Sequence, residues 1–246
     1  MRTLFLAWQA SDQTRAWFPV GRLDAETAES TYVFRYIKGA LDAHQEAGFE
    51  PLLPFPHFDK RYSSETLFPL FKNRVIGANR KDFGEYLRWL DLDIRNADPI
   101  EILAVSGGAR ETDSFEVFPK IVKDADQTFA CRFFLHGGRY ISEAGKARLA
   151  ELISGEKLHV TVELTNPTGT AIQLQTSDYQ MIGWTPRYLV NDLLHAIQVH
   201  SKLGAQVVQV NRDGAPINQR ILIELSGSLP EDFNPMSSAI FEPLVS

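Results

Sequence analysis

Apolar and polar residues alternate from the start of the chain. RTLFLAWQ (2–9) and AWFPVGRLDA (16–25) read as two strands joined by the polar loop ASDQT (10–14), and STYVFRYIKGA (30–40) continues the pattern with Tyr32, Phe34 and Tyr36. The period then becomes helical. ALDAHQEAG (40–48) predicts a short helix stopped by Gly48, and Pro51, Pro54 and Pro56 impose an extended loop after it. SSETLFPLFKNRV (63–75) opens on a capping pattern at Ser63 or Ser64 and predicts a helix interrupted at Pro69. Further helices are expected over 81–92, where Phe83, Tyr86, Leu87 and Leu90 share a face, and over 98–107, between Pro99 in the first turn and Gly107 past the end. Residues 113–122 close this half as a strand.

KDADQT (123–128) is polar and lacks periodicity, which makes it the expected linker. Beyond it the pattern predicts strands at 129–140, 156–166, 170–176, 180–186, 205–212 and 219–228. Two helices interrupt them, at 142–153 with Ser142 as cap and at 187–201. Short strands around two helices suggest a small curved sheet or partial barrel. The Pro- and Ser-rich end is expected to lie along the surface. The fold class is therefore α+β: a small mixed sheet with helices over residues 1–122, a curved sheet over 128–226, and a surface tail at 227–246.

Composition narrows the function classes. A hydrophobic fraction of 44% supports a folded core, and the single cysteine, Cys131, excludes a disulfide framework and a cysteine-rich zinc site. The apolar run LFLAWQA (4–10) is too short for a signal-peptide core, and no run reaches membrane-spanning length, so a cytoplasmic protein without membrane contact is expected. The net charge is −6; Lys plus Arg against Asp plus Glu is 16 to 20 over residues 1–127 and 9 to 11 over 128–246. Neither half has the basic surplus of a protein that coats duplex DNA, so any nucleic-acid contact must be a compact local site. His195 and His200 are badly spaced for one metal, no other histidine pair has ligand spacing, and no Gly-x-Ser-x-Gly elbow is present. The residues point to no enzyme, no metal and no cofactor.

Three stretches, in order, carry a more specific signal: FFLHGGRY (133–140), GEKLHVTVELTNPTGTAIQL (155–174) and IGWTPRYLVNDL (182–193). Together they resemble the HIRAN domain over residues 128–226. The resemblance implies an OB-like β-barrel with helices. In members attached to fork-remodelling helicases, that barrel binds single-stranded DNA and captures its 3′ end. On this likeness Arg139 is a phosphate-binding arginine, Tyr140 a base-stacking ring and Asn166 the turn asparagine. Trp184 and Arg187 fall where those members have a polar residue and a lysine facing the strand. Thr168 and Gly169 replace a Tyr-Asp pair that supplies a second ring and an acceptor for the terminal hydroxyl. The resemblance thus implies a nonenzymatic module for single-stranded DNA or RNA, with reduced or no 3′-end selectivity. The residues also allow a structural account: Asn-Pro-x-Gly is a good turn by itself, Trp184 suits a core, and Arg187 beside Pro186 can cap a neighbour. A strand-facing Arg187 predicts that Arg187→Ala weakens binding at unchanged melting temperature.

The first half resembles the small N-terminal subdomain of HipA-type kinases, through LFLAWQ with VGRL (20–23), YVFRYIKGAL (32–41), PLLPFP (51–56), LFPLFKNRV (67–75) and SGGARETDSFEVFP (106–119). That likeness implies a second reading, an antitoxin-like or adaptor module with a protein partner such as a HipA-type kinase. Kinase motifs are absent: KDFGEY (81–86) contains Asp-Phe-Gly only by letters, within a helical pattern.

Overall fold

The first three alternating segments form strands, as expected, and pair with one another. In the computed structural model, which describes residues 1–11, 15–95, 97–198, 203–212 and 214–246, β1 (Arg2–Gln9), β2 (Trp17–Glu26) and β3 (Thr31–Tyr36) are neighbouring antiparallel strands. With β4 (Tyr62–Ser64) and β5 (Phe115–Pro119) they form a five-stranded sheet in the order β4-β3-β2-β1-β5. Alternation puts Leu4, Leu6, Leu23, Ala25, Phe34 and Tyr36 on one face, where Phe55 and Phe71 complete a core. The buried Tyr36 hydroxyl donates to the Phe55 carbonyl at 2.8 Å and accepts from Leu52 N–H at 2.6 Å, so the proline-rich loop is fastened to the core by a satisfied polar group.

Helix α1 (Lys38–Ala47) begins two residues after β3 and ends at Gly48. The third strand is thus shorter than the predicted 30–40. A close approach sets the helix start: a Cβ on Gly39 would lie 2.2 Å from the Pro19 carbonyl oxygen. The helix predicted over 63–75 shrinks to α2 (Pro69–Lys72). Ser64 does not cap it. Its hydroxyl donates to the Thr66 carbonyl and accepts from Thr66 N–H, closing a local turn, while Tyr62–Ser64 pairs with β3. Helix α3 (Phe83–Trp89) follows, then α4 (Pro99–Ser106), whose Asp98 cap accepts from Ile100 and Glu101 N–H, both at 2.8 Å. The glycine-bearing segment after α4 is held by the buried Arg74, which donates to the Gly108 carbonyl at 2.9 Å and to Asp113 Oδ2 at 2.6 Å.

The second sheet is a curled, six-stranded antiparallel half-barrel in the order β6-β11-β10-β7-β8-β9. Its elements are β6 (Thr128–Phe134), α5 (Glu143–Glu151), β7 (Lys157–Glu163), β8 (Ala171–Gln175), β9 (Met181–Trp184), α6 (Val190–Gln198), β10 (Gly204–Val210) and β11 (Ile221–Ser228). Ser142 caps α5 by accepting from Gly145 N–H. A 3-10 turn, Arg187–Leu189, precedes α6. Parts of the predicted 10–14 loop and 187–201 helix, with His200, fall outside the described residues. Two sheets with separate helices make the fold α+β.

The chain crosses between two units at 83/84, 94/95, 120/121 and 235/236, not once at 123–128. That expected linker is a turn leading into β6, closed by Asp124 N–H donating to the Thr128 carbonyl at 2.8 Å. Most of α3 belongs with the second sheet, where Asn211 Nδ2 donates to the Trp89 carbonyl at 2.9 Å and Asp91 pairs with Arg132. The end of the chain is not a surface tail either. Leu229 is buried and Phe233 stacks on His195 at 4.1 Å in the second unit, while Met236 and Phe241 are buried in the first. The tail's polar composition concealed these well-spaced apolar anchors. Among the described residues no helix is long and apolar enough to cross a membrane.

Cys131 points inward from β6, and burial pushes its thiol up to about 12. It should resist a thiol reagent near neutral pH and react fully once denaturant unfolds the chain. Because the folded value is raised, the thiol's contribution to stability is intact below about 8.5 and is lost as pH climbs toward about 12. Rapid labelling of the folded protein at neutral pH would contradict this placement.

Candidate nucleic-acid interface

The turn between β7 and β8 organises the candidate site. Gly169 N–H donates to the Asn166 carbonyl at 3.0 Å, and Asn166 Oδ1 accepts from Thr168 N–H at 3.2 Å and from Thr168 Oγ1 at 2.9 Å. Asn-Pro-Thr-Gly therefore closes itself. Arg187 comes from just beyond β9 and grips this turn. Its Nη1 donates to the carbonyls of Gly169 (3.0 Å) and Thr170 (2.6 Å); its Nη2 donates to Asn166 Oδ1 (2.7 Å) and contacts Thr168 Oγ1. Burial holds the guanidinium below its ordinary pKa, with the Glu163 carboxylate acting in the opposite direction.

Glu163, at the end of β7, joins two further residues. One of its oxygens, Oε2, accepts from Asn166 Nδ2 at 3.1 Å and from Trp184 Nε1 at 2.6 Å. The half-buried Trp184 is thus tied by its polar edge, while its six-membered ring lies close against Gly137. A Cβ on Gly137, whose φ is +76°, would stand 2.3 Å from Trp184 Cε3. His136 and Trp184 exchange backbone hydrogen bonds at 3.1 and 3.0 Å, docking the loop after β6 onto β9. Tyr140 N–H then donates to the Gly137 carbonyl at 2.8 Å, closing the turn that carries Arg139 and Tyr140 outward. The Tyr140 ring is 70% exposed, with the Arg139 guanidinium carbon 4.8 Å from its centroid.

Asn166, Thr168, Gly169 and Arg187 thus form one bonded cluster, extended to Trp184 through Glu163. Arg139 and Tyr140 connect with it through the contact of Gly137 with Trp184. Glu163 escaped the sequence reading, although strand alternation from His159 and Thr161 puts it on their face. Only the tertiary pairing of β7 with β8 and β9 shows which ring it meets. Among the described residues no three His, Cys, Asp or Glu side chains gather as a metal site.

No family model matches this chain, and no curated protein matches it. Two solved structures are weakly similar. A crystal structure of a protein from Lactobacillus plantarum is 19% identical, with a TM-score of 0.33 over 42% of this chain and 99% of that one. The HIRAN domain of human HLTF is 14% identical, with a TM-score of 0.30 over 43% of this chain and 81% of that one. These comparisons add nothing to the likeness of the first half to the HipA subdomain.

Proposed function

We propose that the second unit is a nonenzymatic module that holds single-stranded nucleic acid by stacking on bases rather than by capturing a strand end. The observation that supports this most is the exposed Tyr140 ring with a guanidinium over it, 4.8 Å away, on a loop braced by Trp184. A ring presented to solvent beside a cation suits an unstacked base and its phosphate. End capture lacks support at the turn: Thr168 and Gly169 supply neither a second ring nor a carboxylate, and the Arg187 fork is occupied by the protein's own oxygens. Arg139 is left as the principal phosphate partner.

Fluorescence anisotropy with short single strands tests the reading. Strands ending in a 3′-hydroxyl and a 3′-phosphate should bind equally. Affinity should fall shallowly with salt, with a logarithmic slope of about −0.7 to −1.4, corresponding to one or two phosphate contacts. Tyr140→Ala should weaken binding about tenfold at unchanged melting temperature, because the ring is exposed. No binding at low salt by the wild-type protein would sink the proposal.

A further inference from the structure

The open face of β7, β8 and β9 carries a second exposed pair of rings. His159 and Tyr179 stack with an interplanar angle of 7° and centroids 5.2 Å apart. Tyr179 is 73% exposed and His159 is exposed as well. Tyr179 sits in the turn between β8 and β9 at φ +61°, a left-handed conformation uncommon for a bulky residue. The turn is closed by Tyr179 N–H donating to the Thr176 carbonyl at 2.9 Å and Thr176 N–H donating to the Gln180 carbonyl at 3.0 Å. Arg148 Nε donates to the neighbouring Asp178 at 3.1 Å, bracing the turn from α5. The conformation turns the Tyr179 ring over the sheet instead of away from it.

Strand register puts this pair on the same face as Trp184. Thr161 is opposite Gln173 and Gln173 opposite Trp184, so the three side chains form one row across the sheet. His159, two residues before Thr161, lies on the same side, as does Glu163, whose bond to Trp184 confirms the assignment. From His159 to Glu163 is four residues of strand, about 13 Å, or roughly four stacked-base rises of 3.4 Å. Thr161, Gln173 and Gln175 occupy the lane between them, offering hydroxyl and amide groups to base edges without adding a carboxylate.

We propose that His159 and Tyr179 are a second stacking platform for the same single strand, which runs along β7 from Tyr140 to Tyr179. The proposal rests on the nucleic-acid reading above and extends it from one platform to two. Its occupant follows from the surface: planar rings at both ends, a polar lane between them whose Glu163 carboxylate is already engaged by Trp184 and Asn166, and a length within the ~4–16 nucleotides that an OB-like fold covers.

The test uses the full chain and an oligothymidylate of about twelve nucleotides. Tyr179→Leu should weaken binding about tenfold, and Tyr179→Phe should bind as wild type, since stacking needs the ring and not the hydroxyl. Combined with Tyr140→Ala, the loss should approach the product of the two single effects, as for separated sites. If Tyr140→Ala weakens binding while Tyr179→Leu does not, the second platform is overturned and the first stands. If only Tyr179→Leu weakens it, the second platform stands and the Tyr140 assignment fails. Equal losses in Tyr179→Leu and Tyr179→Phe would overturn stacking there. A wild-type protein that binds no strand overturns both readings.

Discussion

Arg187→Ala should destabilise the second unit by about 2–3 kcal/mol and lower its melting temperature by roughly 5–10 °C. The side chain is half-buried and serves four oxygens of one turn: the carbonyls of Gly169 and Thr170, Asn166 Oδ1 and Thr168 Oγ1. Hydrogen bonds from a charged donor are worth more than neutral ones, but these share one side chain and are partly wet, so their sum is well below four independent contributions. Truncation also leaves Glu163 without its neighbouring cation. Arg187→Lys should recover only a minor part, because one ammonium cannot reproduce a planar fork that meets two carbonyls with one nitrogen and an amide oxygen with the other. Calorimetry of the full chain, read beside the anisotropy assay, separates the possibilities. A variant that melts with the wild type yet binds nucleic acid weakly would return Arg187 to a strand-facing role.

That expectation reverses what the position of Arg187 in the sequence suggests, and the reversal shows where sequence reading stopped. Local signals were legible because local chemistry makes them: the alternation in β1 to β3, Ser142 as a cap, Pro99 and Gly107 at the two ends of α4, and the Asn-Pro-Thr-Gly turn all depend on residues within a few positions of each other. Tyr140 was expected at the end of a strand over 129–140, but β6 stops at Phe134 and the two glycines place Tyr140 in the turn beyond it, where its ring is exposed. What a guanidinium faces is not local. Arg187 reaches its oxygens across 17 to 21 residues, and Trp184 reaches Glu163 across 21. Both follow from the order β7-β8-β9, which periodicity does not encode. His159 and Tyr179 were missed for the same reason. One belongs to a strand and the other to a turn, and only the β7–β8 pairing joins them.

The departures elsewhere have a common physical origin. Ser64 resembled a helix cap, but its hydroxyl found a nearer partner in Thr66, and a strand partner for Tyr62–Ser64 was already in place. Residues 123–128 resembled a linker because turn residues and linker residues share a composition. The helical face at Phe83, Tyr86, Leu87 and Leu90 was correctly read as apolar. Its destination was not, since amphipathicity identifies a buried face without naming the surface that buries it.

Phe241→Ala should cost the first unit about 3–5 kcal/mol, although the residue lies in a stretch whose composition suggests a loose end. The Phe241 ring packs against Phe5 at 4.8 Å and Phe118 at 6.5 Å, while Phe5 and Phe118 meet each other at 5.5 Å. Removing it opens a cavity over the paired rings of Phe5 and Phe118 that a sheet backbone cannot collapse to fill. The surrounding polar contacts offset little of that loss. The Lys38–Glu242 pair is about half exposed at both ends, so Glu242→Ala should cost no more than about 1 kcal/mol. The backbone bonds of Lys38 to Glu242 and of Leu244 to Tyr36, both 2.9 Å, depend on the segment staying docked and are lost with the ring. Urea unfolding of the two variants should therefore show a large fall in midpoint for Phe241→Ala and almost none for Glu242→Ala. Equal, small shifts would mean that the last residues leave the sheet readily, and that the first unit is held by the strands and helices before residue 121 alone. A large shift for the ring variant makes the two ends of the chain one folding unit, so that the whole of residues 121–235 must be synthesised before β1 and β5 acquire their outer cover.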